Sequence, residues 1–215
     1  QIELQEMKDA DEQSLSIAMT SPYLLDRIIL PFVQRHTNIK IKLQVADIQE
    51  CISLMKSSSV DFCISAPGIW YSGISTTVCL NDELVVALSR EHPLAQKKEI
   101  TLEEIAQENI ISLIGLYSFR HHVDEVFNHY GIRLNHHIEC DHSLRNRLLE
   151  MNQGISFNLR SADGRKLYDE KIVLLPIKAE NFPKTQVTLC TLQNHYLTKV
   201  ARLLMDEIVQ FYQSL

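Results

Sequence analysis

The chain has 215 residues, 45% hydrophobic and 22% charged, enough for one large domain or two small lobes with cores of their own. A formal net charge of −6 gives no global basic field, so this chain itself is not expected to be the part that contacts nucleic acid. No apolar run approaches the ~20 residues that a membrane helix needs.

Gln1 to Gln13 is polar and acidic, with Ile2, Leu4 and Met7 as sparse apolar positions. It reads as the tail of a helix or a linker rather than a signal peptide, and the missing initial Met suggests a fragment or processed product. Ser14 to Met19 alternates polar and apolar, a strand signature. Thr20-Ser21-Pro22 is a helix start, a capping hydroxyl followed by proline in the first turn. Tyr23 to Arg35 then carries a broad helical apolar face, with a kink or two shorter pieces expected from Pro31. Ile39, Ile41, Leu43 and Val45 alternate with Lys40, Lys42 and Gln44, the clearest half-buried strand of the sequence. Asp47 should cap a helix from Ile48 to Ser57 with Ile52 and Met55 inward, followed by a short buried strand, Val60 to Ile64, and a loop, Ser65 to Gly68.

Val78 to Leu88 carries the chain onward as a buried strand, and His92-Pro93 lies beyond its end, where proline has no N–H to give. Thr101 caps a short helix, Leu102 to Gln107. Asn109 to Gly115 is a strand, and Phe119 to His129 a helix with Val123, Val126 and Phe127 inward, stopped by Gly131. Ile132 to Cys140 reads as a strand. Asp141-His142-Ser143 opens a helix through Met151 with Leu144, Leu148 and Leu149 inward. Gly154 to Leu159 is a buried strand after a glycine turn; Ile172 to Leu175 and Gln186 to Leu192 are strands that lead back. Tyr196 to Tyr212 closes the chain as a helix with Val200, Leu203, Leu204, Ile208 and Phe211 on one stripe. Strand and helix alternate twice over, which predicts a parallel α/β architecture in two lobes. In open sheets of this kind ligands sit beyond the carboxyl ends of the strands, a rule that singles out Thr20-Ser21 and Ser65-Ala66-Pro67.

The words Asp82-Glu83-Leu84-Val85-Val86, His92-Pro93-Leu94-Ala95 and Leu102-Glu103-Glu104-Ile105-Ala106 resemble the strand crossing between lobes, with the segment after it, in the effector-binding domain of LysR-type transcriptional regulators. The likeness runs from about Leu15 to Tyr212 and rests on the order and spacing of its parts. It implies an α/β fold of the type II periplasmic-binding-protein kind, two lobes joined by two crossing strands. The division it implies is residues 1–13 as the end of a linker helix, 14–82 with 186–215 as lobe I, and 83–185 as lobe II. The chain departs from the family where Asp26-Arg27 and Thr37 stand in place of prolines. It departs again where Leu159-Arg160 replaces a leucine-proline pair, which sets the loop from Asn158 to Ala162 apart from a standard pocket wall.

The resemblance implies effector contacts at the strand ends. Thr20 and Ser21 offer hydroxyls and free N–H groups at a helix start, where plain capping is the simpler reading. Ser65, Ala66 and Pro67 stand at the next strand end, where a simple turn would serve as well. Ser118, Phe119 and Arg120 open a helix of the second lobe, with Tyr117 before them. Arg120 is suited to bidentate pairing with a carboxylate, or else to a solvated helix start. His142 and Ser143 open the next helix. Arg120 and His142 invite acids, and Tyr117 and Phe119 invite flat groups.

Neither His121-His122 nor His136-His137 is a ready chelate, because neighbours on a helix or strand diverge, and no metal or cofactor is expected. Cys51, Cys63, Cys79, Cys140 and Cys190 are odd in number and lack a ligand pattern; Cys63 and Cys190 sit in apolar runs as small hydrophobes. A reduced, cytoplasmic protein is expected. No GxSxG, P-loop or GxGxxG motif occurs, so no catalytic residue is assigned.

Together these readings predict the effector-sensing domain of a bacterial LysR-type regulator, binding a small polar, carboxylate-bearing molecule between its lobes. DNA would be reached only through a winged helix-turn-helix outside this chain. The resemblance further implies a homodimer, a tetramer in the full-length protein, with the Tyr23–Arg35 and Ile39–Val45 surfaces packed against a partner's second lobe, and no membrane. An extracytoplasmic solute-binding protein of the same fold is the alternative, and an enzyme on that scaffold a more distant one.

Overall fold

The computed structural model describes residues 14–161 and 171–215. The expectation of a linker helix over residues 1–13 lies outside them, as does Ala162. The chain divides into two compact units, one of the described residues up to Leu80 with Gln186–Leu215, the other Asn81–Thr185. Two long strands, β4 (Ile74–Ser89) and β10 (Lys184–Leu192), run from one unit into the other.

In the first unit the sheet order is β2 (Lys40–Val45), β1 (Ser14–Met19), β3 (Phe62–Ser65), β10 and β4. β1 pairs in parallel with β2 and with β3, and β3 runs antiparallel to β10. Parallel neighbours need crossovers, and two helices supply them, α1 (Asp26–Arg35) and α2 (Ile48–Lys56). Asp47 caps α2 by accepting from the Glu50 N–H at 2.8 Å, and Cys51, Ile52 and Met55 turn inward. They meet Cys63, Cys190 and Val60 in one apolar cluster. Burial raises the Cys190 thiol pKa, and a side-chain hydrogen bond with Cys51 comes before burial in raising that of Cys63, so these thiols pack as hydrophobes. The closing helix α6 (Lys199–Gln213) is capped by Thr198, and the Tyr212 hydroxyl donates to the Leu24 carbonyl at 2.6 Å.

Four sequence expectations are corrected here. The Tyr23–Arg35 segment does come in two pieces, a 3-10 turn at Pro22–Leu24 and α1, but the break falls at Leu25 and Pro31 lies inside α1. Pro31 costs one N–H bond to the Arg27 carbonyl, and Arg27 is exposed, so water can serve that oxygen. β2 is not half-buried: it is the sheet edge, and Leu43 and Val45 are 42% and 44% exposed. The inward stripe of α6 is Val200, Ala201, Leu204, Ile208 and Tyr212, leaving Leu203 exposed. The strand expected from Ile132 begins only at His136, because Gly131 (φ +70°) and the Ile132 N–H to Phe127 carbonyl bond still belong to the preceding helix end.

In the second unit β4 carries β8 (Ser156–Leu159) on one side and β9 (Ile172–Lys178) on the other, both antiparallel, and β9 pairs in parallel with β5 (Ile100–Thr101). α3 (Leu102–Ala106) starts in a full capping box between Thr101 and Glu104. A separate parallel pair is formed by β6 (Ile110–Leu113) and β7 (His136–Cys140). After these strands come α4 (Ser118–His129) and α5 (His142–Glu150). Ala87, Ile111, Cys140, Leu149 and Ile172 form a core cluster.

Candidate functional site

In each unit two adjacent parallel strands end side by side, and the expected polar residues lie just past those ends. In the first unit these are β1 and β3. Thr20 is buried, and its hydroxyl oxygen accepts from the Ala66 N–H at 3.0 Å while lying 3.3 Å from the Ala66 carbonyl. This clasps the two strand ends. Ser21 accepts from the Tyr23 N–H at 3.4 Å, as a capping residue does. The buried Ser65 hydroxyl donates to the Pro67 carbonyl at 2.5 Å across a cis Ala66–Pro67 peptide. Thr20, Ser65 and Ala66 therefore shape the loops from within, while Ser21 and Pro67 are the partly exposed members of this group.

In the second unit the strands are β6 and β7. Ser118 opens α4, and Phe119 is buried beneath it. Asp141 caps α5 by accepting from the Leu144 N–H at 2.9 Å, so His142 is the first residue of the helix, and Ser143 is exposed. The rings of Tyr117 and His142 meet edge to face, 4.8 Å between centres, which joins the starts of the two helices. Burial, helped by the positive charge of Arg145, drives the His142 pKa down to about 3, so the imidazole is neutral at neutral pH.

Arg120 sits differently from the expectation of an open carboxylate fork. Its Nε donates to Asp124 Oδ2 at 2.8 Å, its Nη1 to the Leu113 carbonyl at 3.0 Å, and Nη1 is 3.2 Å from Glu139 Oε2. The guanidinium is turned onto its own unit.

Sequence reasoning missed Arg145. Leu144 was expected inward, yet it is 47% exposed, and Arg145 takes the inward place at 1%. The cap at Asp141 sets the helix phase, so His142, Arg145 and Leu149 share one face. Arg145 Nη1 donates to the Phe157 carbonyl at 3.3 Å and Nη2 to Asn158 Oδ1 at 3.3 Å, tying α5 to β8. The i, i+3, i+7 spacing was the available signal. Assigning charged residues to solvent, as is usual, concealed it.

At the Leu159-Arg160 departure, Asp82 accepts from the Ser161 N–H at 3.0 Å and from its hydroxyl, and Arg160 pairs with Glu83 at 2.7 Å. The histidine pairs split as their geometry requires. His121 meets the Gly115 carbonyl and His122 meets Thr185, while His136 faces Ser112 and His137 is exposed. Among the described residues no group of three or more His, Cys, Asp or Glu side chains is placed to hold a metal ion, and no helix is long and apolar enough to cross a membrane.

A family profile described as "LysR substrate binding domain" matches residues 8–213. A curated relative, the RuBisCO operon transcriptional regulator of Allochromatium vinosum, is 24% identical over 184 residues, covering 84% of this chain and 60% of the relative. This chain thus spans about three fifths of that protein. Among solved structures, the BenM effector binding domain with its effector benzoate is similar at a TM-score of 0.73 and 23% identity, covering 94% of this chain and 92% of that one. The effector binding domain of QuiR in complex with shikimate is similar at a TM-score of 0.71 and 18% identity, covering 94% and 97%. At these identities the likeness to the two structures is one of fold: two lobes joined by two crossing strands, the type II periplasmic-binding-protein arrangement.

Proposed function

The chain belongs to the LysR substrate binding domain family, and from that premise we propose that it is the effector-sensing part of a cytoplasmic transcriptional regulator whose effector is a small polar carboxylate. The observation that carries the reading is the pairing of parallel strand ends in each unit, β1 with β3 and β6 with β7, with polar groups gathered just beyond them. The proposed contacts in the first unit are Ser21 and Pro67, on loops shaped by Thr20, Ser65 and Ala66. In the second they are Ser118, Arg120, His142 and Ser143, above Phe119. Benzoate and shikimate, the ligands of the two similar structures, are both carboxylates, which favours that class here.

The role is binding, with no bond made or broken. Contact with DNA falls to a part of the regulator outside this chain, and the signal passes through a homodimer. For effector binding to switch anything, it must favour one state of that assembly over another.

The test is the thermal midpoint of this chain against rising benzoate and shikimate, with benzamide as the uncharged control. Saturable stabilisation by a carboxylate, growing to about 2.7 kcal/mol at a hundredfold excess over Kd and reduced in Arg120→Ala, is the expected result. Equal responses to acid and amide would overturn the carboxylate assignment.

A further inference from the structure

Arg120 ends a polar chain that joins β6, β7 and α4 in the second unit. Ser112 on β6 lies 2.6 Å from His136 Nδ1, and His136 Nε2 lies 3.1 Å from Asp124 Oδ1. The other oxygen of Asp124 holds Arg120 Nε. With hydrogen on Nε2, the neutral imidazole accepts the Ser112 hydroxyl at Nδ1 and turns its N–H side toward Asp124 Oδ1, a buried oxygen at ion-pair distance that has no hydrogen bond of its own. The charged groups facing His136 are Arg120 and Asp124 from α4 and Glu139 on its own strand; β6 contributes the uncharged Ser112.

We infer that Ser112, His136 and Asp124 form a proton-sensitive chain that positions Arg120, and that protonation of His136 loosens Arg120 from Asp124. One carboxylate then has two cations to neutralise, at opposite oxygens, and the cations repel each other. Burial, reinforced by Arg120, holds the His136 pKa below its ordinary value, so the neutral ring and the held arginine are the state at neutral pH. Of the two cations, Arg120 has the alternatives: a long side chain, the Leu113 carbonyl, and Glu139, which is 48% exposed. Loosened, it is available to a ligand acid at the start of α4. This last step rests on the effector reading above; the chain itself does not.

The experiment separates the two. In a 15N-labelled sample of this chain, the Arg120 Nε–H resonance and the His136 ring are followed by NMR as pH falls from about 7.5 to about 5, a window that spans the ordinary histidine value. The expected result is that the Arg120 signal shifts and exchanges faster with water, with the same midpoint as His136. It should hold still in His136→Gln and lie at the shifted position throughout in Asp124→Asn. Arg120→Gln should move the His136 midpoint upward, since a neighbouring cation is removed. An Arg120 signal that stays unchanged while His136 titrates overturns the proposal. Benzoate and benzamide are then titrated at both ends of the pH range. If the Arg120 signal responds but benzoate affinity does not rise toward acid pH, the positioning chain stands and the assignment of Arg120 to the effector fails.

Discussion

His142 carries a cost that pH can expose. Its imidazole is buried at the start of α5 beside Arg145, with the pKa lowered to about 3, whereas an unfolded histidine titrates near 6.5. Between those values the unfolded chain binds a proton that the folded chain refuses. Stability is therefore complete above pH ~6.5 and falls as pH drops toward ~3, by up to about 1.4 kcal/mol per unit from this residue. Urea unfolding of wild type and His142→Gln at about pH 7 and about pH 4.5 isolates this contribution. The variant should lose about 2–3 kcal/mol less than wild type on acidification. Parallel losses in the two proteins would contradict the assignment. His122 and His136, whose pKa values burial also lowers, add the same sign of dependence in both proteins and cancel in the comparison. At this scale the sequence was least legible. It placed His142 and Arg120 at helix starts. The i, i+4 spacing of Arg120 and Asp124 was there to be read, but the pairing with Glu139 was not, because that partner comes from a strand distant in sequence.

Elements were easier to read where a local signal and a tertiary need coincide. Asp47, Thr101 and Asp141 each cap the helix that comes after them, as short polar side chains before apolar runs should; the closing helix, expected from Tyr196, begins later, at Lys199 behind its cap Thr198. Errors came where the fold overrode the pattern: alternation in Ile39–Val45 fits a half-buried strand, but only tertiary order tells an edge strand from an inner one. The turn at Gly154 joins both levels. Its φ of +146° suits glycine, and a Cβ there would stand 2.3 Å from the Asn109 carbonyl oxygen. That same oxygen accepts the Ile155 N–H at 2.9 Å, seating the entry to β8 beside β6. Gly154→Ala must push the carbonyl away and break that bond, an expected loss of about 2–4 kcal/mol. Gly115→Ala is the matched control, since nothing lies within 4 Å of its Cβ position, and it should change stability by less than about 0.5 kcal/mol. Denaturant midpoints at constant m-value measure both. Equal behaviour of the two variants would show that the turn has room that the geometry denies it.

For the whole molecule, the open apolar side chains of β2 and α1 become an argument about association. Leu43 and Val45 on the edge strand are 42% and 44% exposed, and Leu30 and Val33 on α1 are 60% and 40% exposed. Sequence periodicity put this side of β2 in the chain's own core because apolar alternation ordinarily means burial. The structure leaves the strand at the sheet edge with its apolar side largely open, and open edges invite another chain. The proposed homodimer gives those side chains something to cover them. Placing a charge at these apolar contacts should then separate folding from assembly. In Leu43→Lys and Val45→Lys the fold of the single chain should hold to within about 0.5 kcal/mol, because neither side chain is deeply buried. The dimer should weaken at least about tenfold, equivalent to about 1.4 kcal/mol. Sedimentation equilibrium of the chain over a range of concentrations reads the second quantity, and urea unfolding under monomeric conditions reads the first. A wild-type dimer left intact by both substitutions would move the interface away from β2. A chain that stays monomeric at every concentration would remove the dimer from the route by which effector binding is proposed to reach DNA.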